Sequence, residues 1–201
     1  TGTTAALAAP PDVKTVFPPG GQRGTTVTVT LGGTVGTAPS SVWCSRADLK
    51  IEPTKEAGKF SVSIPADAAP GRCWLRWTNA EGASAQKPFV VGALPEVEDK
   101  EPNNDLAKAQ RLEDSRVVVN GILEKSGEVD VFAVTLKKGE TLVAWLDAND
   151  LLGSPMDGSL QILSPKGFVC VQNDDDHGLD PLATYTAETD GVHYVRLFAF
   201  P

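Results

Sequence analysis

The sequence predicts an all-β protein built from two β-sandwiches in tandem, and three observations support this. Short runs in which apolar and polar residues alternate recur along the chain, as in strands with one buried face. Turn residues separate these runs, since the chain has 19 Gly and 15 Pro. A length of 201 residues is comfortable for two domains.

The first half carries a series of short predicted strands. Residues 25–31 alternate strictly, with Val27, Val29 and Leu31 on one side, and they follow turn residues at 18–21. The other strands are predicted from Val13 onward and at residues 42–45, 49–51, 59–64, 73–78 and 88–91. Strands of this length, with a turn every ~8 to 12 residues, are typical of an immunoglobulin-like sandwich. We place this domain at residues 12–93, after a flexible N-terminal lead at residues 1–11.

The second domain is predicted at residues 101–201, after a linker at residues 94–100. Its strands are predicted at residues 117–123, 130–136, 141–147, 160–163, 168–172, 183–187 and 193–200. We expect the first two to form a hairpin, and residues 164–167 to make the turn of another. Asn103 or Asn104 is predicted to cap a helical turn at residues 106–109.

Charge is divided unevenly between the halves. Residues 1–93 hold 9 basic and 6 acidic residues, a net charge of +3, whereas residues 94–201 hold 9 basic and 20 acidic residues, a net charge of −11. Because phosphate contacts need clustered Lys and Arg, no nucleic-acid partner is expected. The acidic half suits hard cations, or it serves solubility alone. No apolar run approaches the ~20 residues that cross a bilayer, so no transmembrane segment is expected.

A series of landmarks runs through the second half. They are Glu101-Pro102-Asn103-Asn104-Asp105, Gly121, residues 127–132, Lys138-Gly139-Glu140, residues 152–157, Asn173-Asp174-Asp175, and Gly191 with Tyr194-Val195-Arg196. In this order they resemble the bacterial pre-peptidase C-terminal (PPC) domain over about residues 98–201. The resemblance implies a jelly-roll-like β-sandwich. That family closes with a further strand or two, so we interpret the domain as C-terminally truncated and the chain as part of a longer protein.

The first half resembles an IPT/TIG-type immunoglobulin-like domain. Residues 16–27 and the closing residues 88–91 carry this resemblance. In bacteria such domains are usually spacers in secreted or surface proteins. Together the two resemblances imply a non-catalytic module that is secreted, periplasmic or on the cell surface.

The PPC resemblance also implies calcium binding where the linker meets the sandwich. The positions carried over as ligands are Glu101, Asn103, Asn104, Asp105 and Asp130, and Asp99 is a further candidate. Gly127 departs from the pattern, because some calcium-binding relatives have an acid there, although Glu128 is adjacent. The residues also allow a simpler interpretation, in which an Asn caps a helical turn and Asp105 complements its dipole.

Other residues invite pairing or binding. Cys44 and Cys73 lie in two predicted strands and form either a disulfide or two buried thiols; Cys170 is then expected to be unpaired and buried. Trp77 alternates with core residues, whereas Trp74 and Arg76 face the other side and are predicted to form an exposed binding surface. The acidic run at residues 173–180 is interpreted as a solvated loop.

No catalytic residues are expected. The two histidines form no ligand pair, and no nucleophile-elbow motif occurs. We expect a non-catalytic binding or adhesion module of a larger bacterial protein, possessing a calcium-stiffened joint and a protein or polysaccharide partner, or the rest of its own chain as partner. One alternative is a pair of accessory domains of a secreted protease or other hydrolase. Another is a structural subunit of a surface layer or filament.

Overall fold

The computed structural model describes residues 9–35 and 41–200. Most of the predicted N-terminal lead lies outside the described residues. The chain divides into two compact units, Thr1–Leu94 and Pro95–Pro201. Their regular structure is β-strand apart from one short helix among the described residues, so the predicted all-β fold class of two sandwiches is confirmed. Among the helices of the described residues, none is long and apolar enough to span a membrane.

The first unit is a sandwich of two sheets. Its strands are β1 (Asp12–Phe17), β2 (Gly20–Gln22), β3 (Thr26–Thr34), β4 (Ser41–Cys44), β5 (Lys50–Pro53), β6 (Lys59–Ser63), β7 (Gly71–Asn79), β8 (Gly82–Ala83) and β9 (Lys87–Gly92). One sheet has the order β1-β3-β6-β5, and the other has β2-β9-β7-β4 with β8 paired to β7. Alternating side chains of both sheets fill the core, as the period of two requires. Trp77 is fully buried there, with its ring 6.0 Å from that of Phe60 in an edge-on arrangement.

The second unit contains one five-stranded sheet and two two-stranded sheets. Its elements are β10 (Glu96–Glu98), β11 (Gln110–Arg111), β12 (Val118–Asn120), β13 (Val129–Leu136), β14 (Thr141–Trp145), α1 (Asn149–Leu152), β15 (Gly158–Leu163), β16 (Val169–Asn173), β17 (Leu182–Thr186) and β18 (Gly191–Ala199). A five-stranded sheet has the order β11-β13-β18-β15-β16, and β14-β17 and β10-β12 form two-stranded sheets. Apolar side chains of β13, β14, β15 and β17 meet in one core cluster.

The predicted hairpin at residues 117–136 does not form. β12 pairs in parallel with β10, whereas β13 pairs antiparallel with β18 and in parallel with β11. The physical reason is that β13 lies between β11 and β18 in the five-stranded sheet, so neither of its edges is left to pair with β12. The hairpin with its turn at residues 164–167 is present, because β15 and β16 pair antiparallel across it.

Three further local predictions differ from the structure. Glu96–Glu98 of the predicted linker form β10, because its backbone finds a partner in β12. Residues 105–108 make a hydrogen-bonded turn rather than a helix. Cys170 is exposed, not buried, because it lies on β16, an edge strand that pairs only with β15 within the described sheet.

Candidate functional site

Three carboxylates converge near the start of the second unit. Asp99, Glu101 and Asp130 each offer an oxygen, and these oxygens all lie within 4.8 Å of one another. Asp99 follows β10, and its N–H donates to the carbonyl of Asn120 over 2.8 Å, which continues the β10-β12 pairing. Asp130 is the second residue of β13. The cluster therefore joins the end of β10 to β13, an interior strand of the five-stranded sheet.

The backbone around the cluster is held from both sides. The Gln110 side chain accepts the N–H of Lys100 over 2.7 Å and donates to the carbonyl of Glu98 over 3.0 Å. On the other side, the Val131 N–H donates to the Asn103 carbonyl over 3.0 Å, which ties the loop to β13. These contacts fix the loop without using the three carboxylates.

Gly121 gives Asp99 its space. A Cβ at this position would lie 3.0 Å from the Cβ of Asp99, tighter than ordinary van der Waals contact. Any side chain here would therefore press on the carboxylate that joins the cluster. The glycine is therefore needed to leave room for Asp99, and not to allow a turn conformation of the backbone.

Asn103 completes the cluster with an amide. It is fully buried, its side-chain amide donates to Asp99 Oδ1 over 2.7 Å, and its backbone N–H donates to Glu101 Oε2 over 3.1 Å. Its Oδ1 atom is buried without a hydrogen-bond partner, and so is Oδ1 of Asp130. A buried polar atom without a partner costs roughly 1 to 3 kcal/mol. Two such oxygens beside three carboxylates make an arrangement that a cation would satisfy.

The electrostatics of the cluster are unfavourable as they stand. Burial, reinforced by the charges of Asp99 and Glu101, raises the pKa of Asp130 to about 7. Burial also raises the pKa of Asp99, with Glu101 adding to the effect. None of the ion pairs in the described part of the chain involves these three acids. The cluster can therefore hold a metal ion, and its negative charge is not offset by Lys or Arg.

The remaining predicted ligands lie elsewhere. Asn104 is exposed. Asp105 Oδ1 accepts the N–H groups of Ala107 and Lys108 over 2.9 and 3.1 Å, so this carboxylate caps the turn. Glu128 Oε2 accepts the N–H groups of Glu124 and Lys125, which leaves that oxygen engaged in the turn before β13. The structure thus brings together Asp99, Glu101, Asn103 and Asp130.

The predicted binding surface lies on the outer face of β7. Trp74 is 36% exposed and Arg76 is exposed. Two further residues share this face, and the sequence did not rank them among the better exposed candidates. Trp43 of β4 lies opposite Arg76, and the Arg72 guanidinium lies 5.0 Å from the centre of the Trp74 ring. The alternation of buried and exposed positions along each strand could have identified both residues, since Trp43 occupies an outward-facing position of β4.

The two predicted disulfide partners are adjacent. Cys44 lies opposite Leu75 in the β4-β7 pair, two positions from Cys73, and both cysteines are free thiols. A hydrogen bond from the Cys73 thiol lowers the pKa of Cys44 to about 7, whereas the same contact, together with burial, raises that of Cys73. The disulfide itself stays a prediction.

A second acidic feature, at Asp180, was missed by the sequence interpretation. Asp180 ends the acidic run that was expected to be solvated, yet it is buried. Its carboxylate accepts the backbone N–H groups of Ala148, Asn149 and Asp150 over 2.7 to 3.2 Å and so caps α1. A cavity of about 280 Å³ lies beside it, lined in part by Trp145 and His177. No sequence pattern links Asp180 to α1, about 30 residues away.

The fold and the carboxylate cluster define a two-unit β-sandwich protein with a candidate cation site. The chain is similar to a probable subtilase-type serine protease from Deinococcus radiodurans, with 29% identity over 112 residues. The match covers 54% of this chain but only 15% of the protease. No family model matches the chain.

Three solved structures share a general likeness with the fold. A Bacteroides ovatus protein of the mixed-linkage glucan utilization locus, in complex with a mixed-linkage heptasaccharide, has 12% identity and a TM-score of 0.34 over 96% of this chain and 77% of its own. The chicken CNTN1 FN1–FN3 domains have 12% identity and a TM-score of 0.25, covering 96% and 60%. The Yersinia pseudotuberculosis adhesin InvE has 11% identity and a TM-score of 0.25, covering 90% and 49%. These TM-scores lie below 0.5, so the likenesses say nothing about what this chain binds.

Proposed function

We propose that this chain is a non-catalytic accessory part of a larger secreted protein, and that its second unit binds calcium. The observation that carries the proposal is the cluster of Asp99, Glu101 and Asp130, with the amide oxygen of Asn103 beside it. The similarity to a small part of a probable subtilase-type protease supports an accessory role, as does the resemblance of residues 98–201 to PPC domains.

Calcium is the cation that suits these ligands best. It takes 6 to 8 oxygen ligands in flexible geometry, from carboxylates, amides, carbonyls and water. The cluster offers three carboxylates and a buried amide oxygen, and neither Cys nor His belongs to it. Zinc prefers nitrogen and sulfur ligands, which are missing from the cluster. Calcium would hold residues 99–103 against β13 and stabilise the start of the second unit. Stiffening of the joint between the domains stays a prediction.

A thermal unfolding experiment tests the calcium site. Calcium at about 100 times its dissociation constant should stabilise the protein by about 2.7 kcal/mol. For a unit of ~100 residues this raises the unfolding midpoint by about 10 °C or more relative to a chelator-treated sample. Asp130→Asn should abolish the shift, whereas Asp105→Asn, which alters an acid outside the cluster, should retain it.

Two outcomes would overturn the calcium proposal. One is a wild-type protein whose unfolding midpoint is the same in calcium and in chelator. The other is an equal calcium response in wild type and Asp130→Asn. Misfolding of the variant is recognised separately, because metal-free Asp130→Asn should unfold at or above the midpoint of metal-free wild type.

The absence of catalysis is also a proposal. Among the described residues, His193 is buried with Nε2 unpartnered, and exposed His177 pairs with Asp176. Within the described parts of the chain, the side-chain polar partners of these histidines are the Gly191 carbonyl and the Asp176 carboxylate rather than a serine or cysteine. The isolated chain is expected to hydrolyse neither casein nor peptide substrates. Hydrolysis that survives purification and is lost in a His177→Ala variant would contradict this.

An extracellular or periplasmic location is also proposed, on the resemblance to modules of secreted proteins and the similarity to part of a probable subtilase-type protease. A bridge between Cys44 and Cys73 would fit an oxidising compartment and would contribute about 3 to 4 kcal/mol through loop closure. The intact mass of protein prepared without reductant should be lower than that of the reduced protein by the mass of two hydrogen atoms. Full alkylation of both thiols in unfolded, unreduced protein would show that the bridge is missing.

A binding or adhesion role is the second candidate function. The observation that favours it is the exposed aromatic and basic face of β7 in the first unit. A polysaccharide, a protein or the rest of the same chain are the partners considered. A structural role in a surface layer or filament has no observation in its favour and stays a prediction.

A further inference from the structure

The outer face of the β2-β9-β7-β4 sheet combines exposed tryptophan with arginine. Along β7 the side chains alternate, so Cys73, Leu75 and Trp77 are buried in the core while Arg72, Trp74 and Arg76 point outward and are exposed. On the neighbouring strand, Trp43 is 48% exposed. Exposed tryptophans that share a face are unusual on a protein surface and mark interaction sites.

The strand register makes these side chains one continuous patch. Trp43 lies directly opposite Arg76, and Trp74 lies on the diagonal from Trp43, a separation of about 7 to 8 Å in antiparallel pairs. Arg72 lies over the Trp74 ring with its guanidinium 5.0 Å from the ring centre. We call these four residues, Trp43, Arg72, Trp74 and Arg76, the Trp-Arg patch.

The patch is positively charged and carries no acid of its own. Within the described strands, the register places only neutral partners around it on this face: Ser41, Thr78, Ala83, Pro88 and Val90. One Arg76 donor, Nε, bonds to the Ser84 carbonyl over 2.8 Å and orients the guanidinium. Guanidinium groups bind carboxylate and sulfate oxygens in a fork geometry. The patch therefore complements an anionic ligand.

We propose that the Trp-Arg patch binds an acidic polysaccharide, one whose sugar rings carry carboxylate or sulfate groups. The C–H faces of pyranose rings stack on the exposed indoles, and an anionic substituent pairs with the Arg76 guanidinium, while Arg72 adds positive charge beside the Trp74 ring. A neutral glycan would partly desolvate the Arg76 guanidinium without giving it an anionic partner. An acidic peptide fits less well, since the backbone groups of β7 are already paired with β4 and β9 and cannot accept an added strand.

Nucleic acid is disfavoured by the small number of basic groups in the patch. It contains two arginines, whereas phosphate backbones are bound by denser basic clusters. The net charge of −8 of the whole chain works in favour of the test, because non-specific adsorption of polyanions is suppressed. The proposal concerns the first unit and stands or falls independently of calcium in the second.

Titration calorimetry with the full chain in chelator tests the patch. The probes are polygalacturonate for carboxylate, dextran sulfate for sulfate, and neutral dextran and polyglutamate for comparison. We expect saturable binding to at least one anionic polysaccharide, at least tenfold tighter than to dextran or polyglutamate. Trp74→Ala and Arg76→Gln should each weaken this binding at least tenfold. Trp145→Ala and Arg111→Gln, which alter an exposed tryptophan and an exposed arginine of the second unit, should leave it unchanged.

Several results would overturn the proposal. These are no binding to either anionic polysaccharide, equal or tighter binding to polyglutamate or to single-stranded DNA, or an equal loss of binding in the patch variants and the second-unit variants. The unfolding midpoints of the variants separate loss of the patch from loss of the fold. Arg76→Lys extends the test, since it retains the charge without the fork and should restore binding only in part.

Discussion

Asp130 is the residue of the candidate cation site whose charged form is least favourable. It is the second residue of β13 and is buried, one of its oxygens has no partner, and two further carboxylates lie within reach. Such a group is stable either protonated or beside a cation. The two possibilities differ in their pH dependence, which gives a direct test on the metal-free protein.

The first prediction concerns the pH dependence of metal-free stability. The folded-state pKa of Asp130 is raised to about 7, whereas an unfolded aspartate has a pKa of about 4. The stabilising contribution of the bound proton is therefore complete below pH ~4 and is lost as pH rises through 7. Relative to Asp130→Asn, wild type should lose about 2 to 3 kcal/mol between pH 5 and pH 8. Urea unfolding of both proteins in chelator measures the difference, and a pH-independent difference would contradict the assignment.

The second prediction separates two neighbouring tryptophans. Trp77 is fully buried against Phe60, so Trp77→Ala should lower the free energy of unfolding of the first unit by about 3 to 5 kcal/mol. Trp74→Ala, three residues away on the outer face, should cost less than about 1 kcal/mol. Chemical denaturation of the two variants gives the comparison. Equal losses would mean that the assignment of the two faces of β7 is wrong.

At the scale of elements, two features depend on contacts between residues far apart in sequence: the close packing of the β2 and β9 backbones, and the capping of α1 by Asp180. Residues 18–21 predict a turn, yet Gly20 and Gly21 begin β2, which pairs in parallel with β9. A Cβ on Gly20 would lie 2.6 Å from the Val90 carbonyl, so the glycines permit close packing of backbones. The alternating runs at β3 and β7 were predictable because the period of two is local.

The third prediction concerns the short helix α1. The carboxylate of Asp180 accepts three of its first backbone N–H groups from a loop about 30 residues away. Asp180→Ala should remove their acceptor, leave the buried Ala148 N–H without it and cost the second unit about 1 to 3 kcal/mol. Asp175→Ala, an exposed acid of the same loop, should change stability by less than about 0.5 kcal/mol. Similar losses in both variants would show that the loop is sensitive as a whole.

Some residues of the candidate cation site could be predicted from the sequence, and others could not. The run from Glu101 to Asp105 and the acid at Asp130 were recognised through the PPC resemblance. The structure then selects Asn103 from the run and includes Asp99, the further candidate, because β10 pairs with β12 and places Asp99 beside Gly121. Which acids of a dense run turn inward depends on such long-range pairing, so spacing alone could not exclude Asn104 or Asp105.

For the whole molecule, the charge division is the dominant physical feature. The two halves have net charges of +3 and −11, and the candidate cation site lies in the acidic half while the Trp-Arg patch lies in the basic one. Long-range attraction between the acidic half and a divalent cation adds to the local contacts. The two candidate sites should therefore respond to different ligands.

The fourth prediction is a salt dependence. Raising sodium chloride from about 0.02 M to 0.3 M shortens the Debye length from roughly 20 Å to below 10 Å. Calcium binding should weaken several-fold as the surrounding carboxylates are screened. Calorimetry at the two salt concentrations measures the change, with choline chloride as a control against sodium competition. Binding that is indifferent to salt would mean that the net charge of −11 contributes nothing to affinity.

The central claim is that Asp99, Glu101 and Asp130 hold a calcium ion. Anomalous diffraction from crystals grown with calcium tests it most directly. The predicted result is one anomalous peak within coordination distance of oxygens of all three carboxylates, with Oδ1 of Asn103 or a water completing the shell. A calcium-saturated crystal without a peak at these residues, or with its ordered ion at Asp174, Asp175 and Asp176 instead, would contradict the claim.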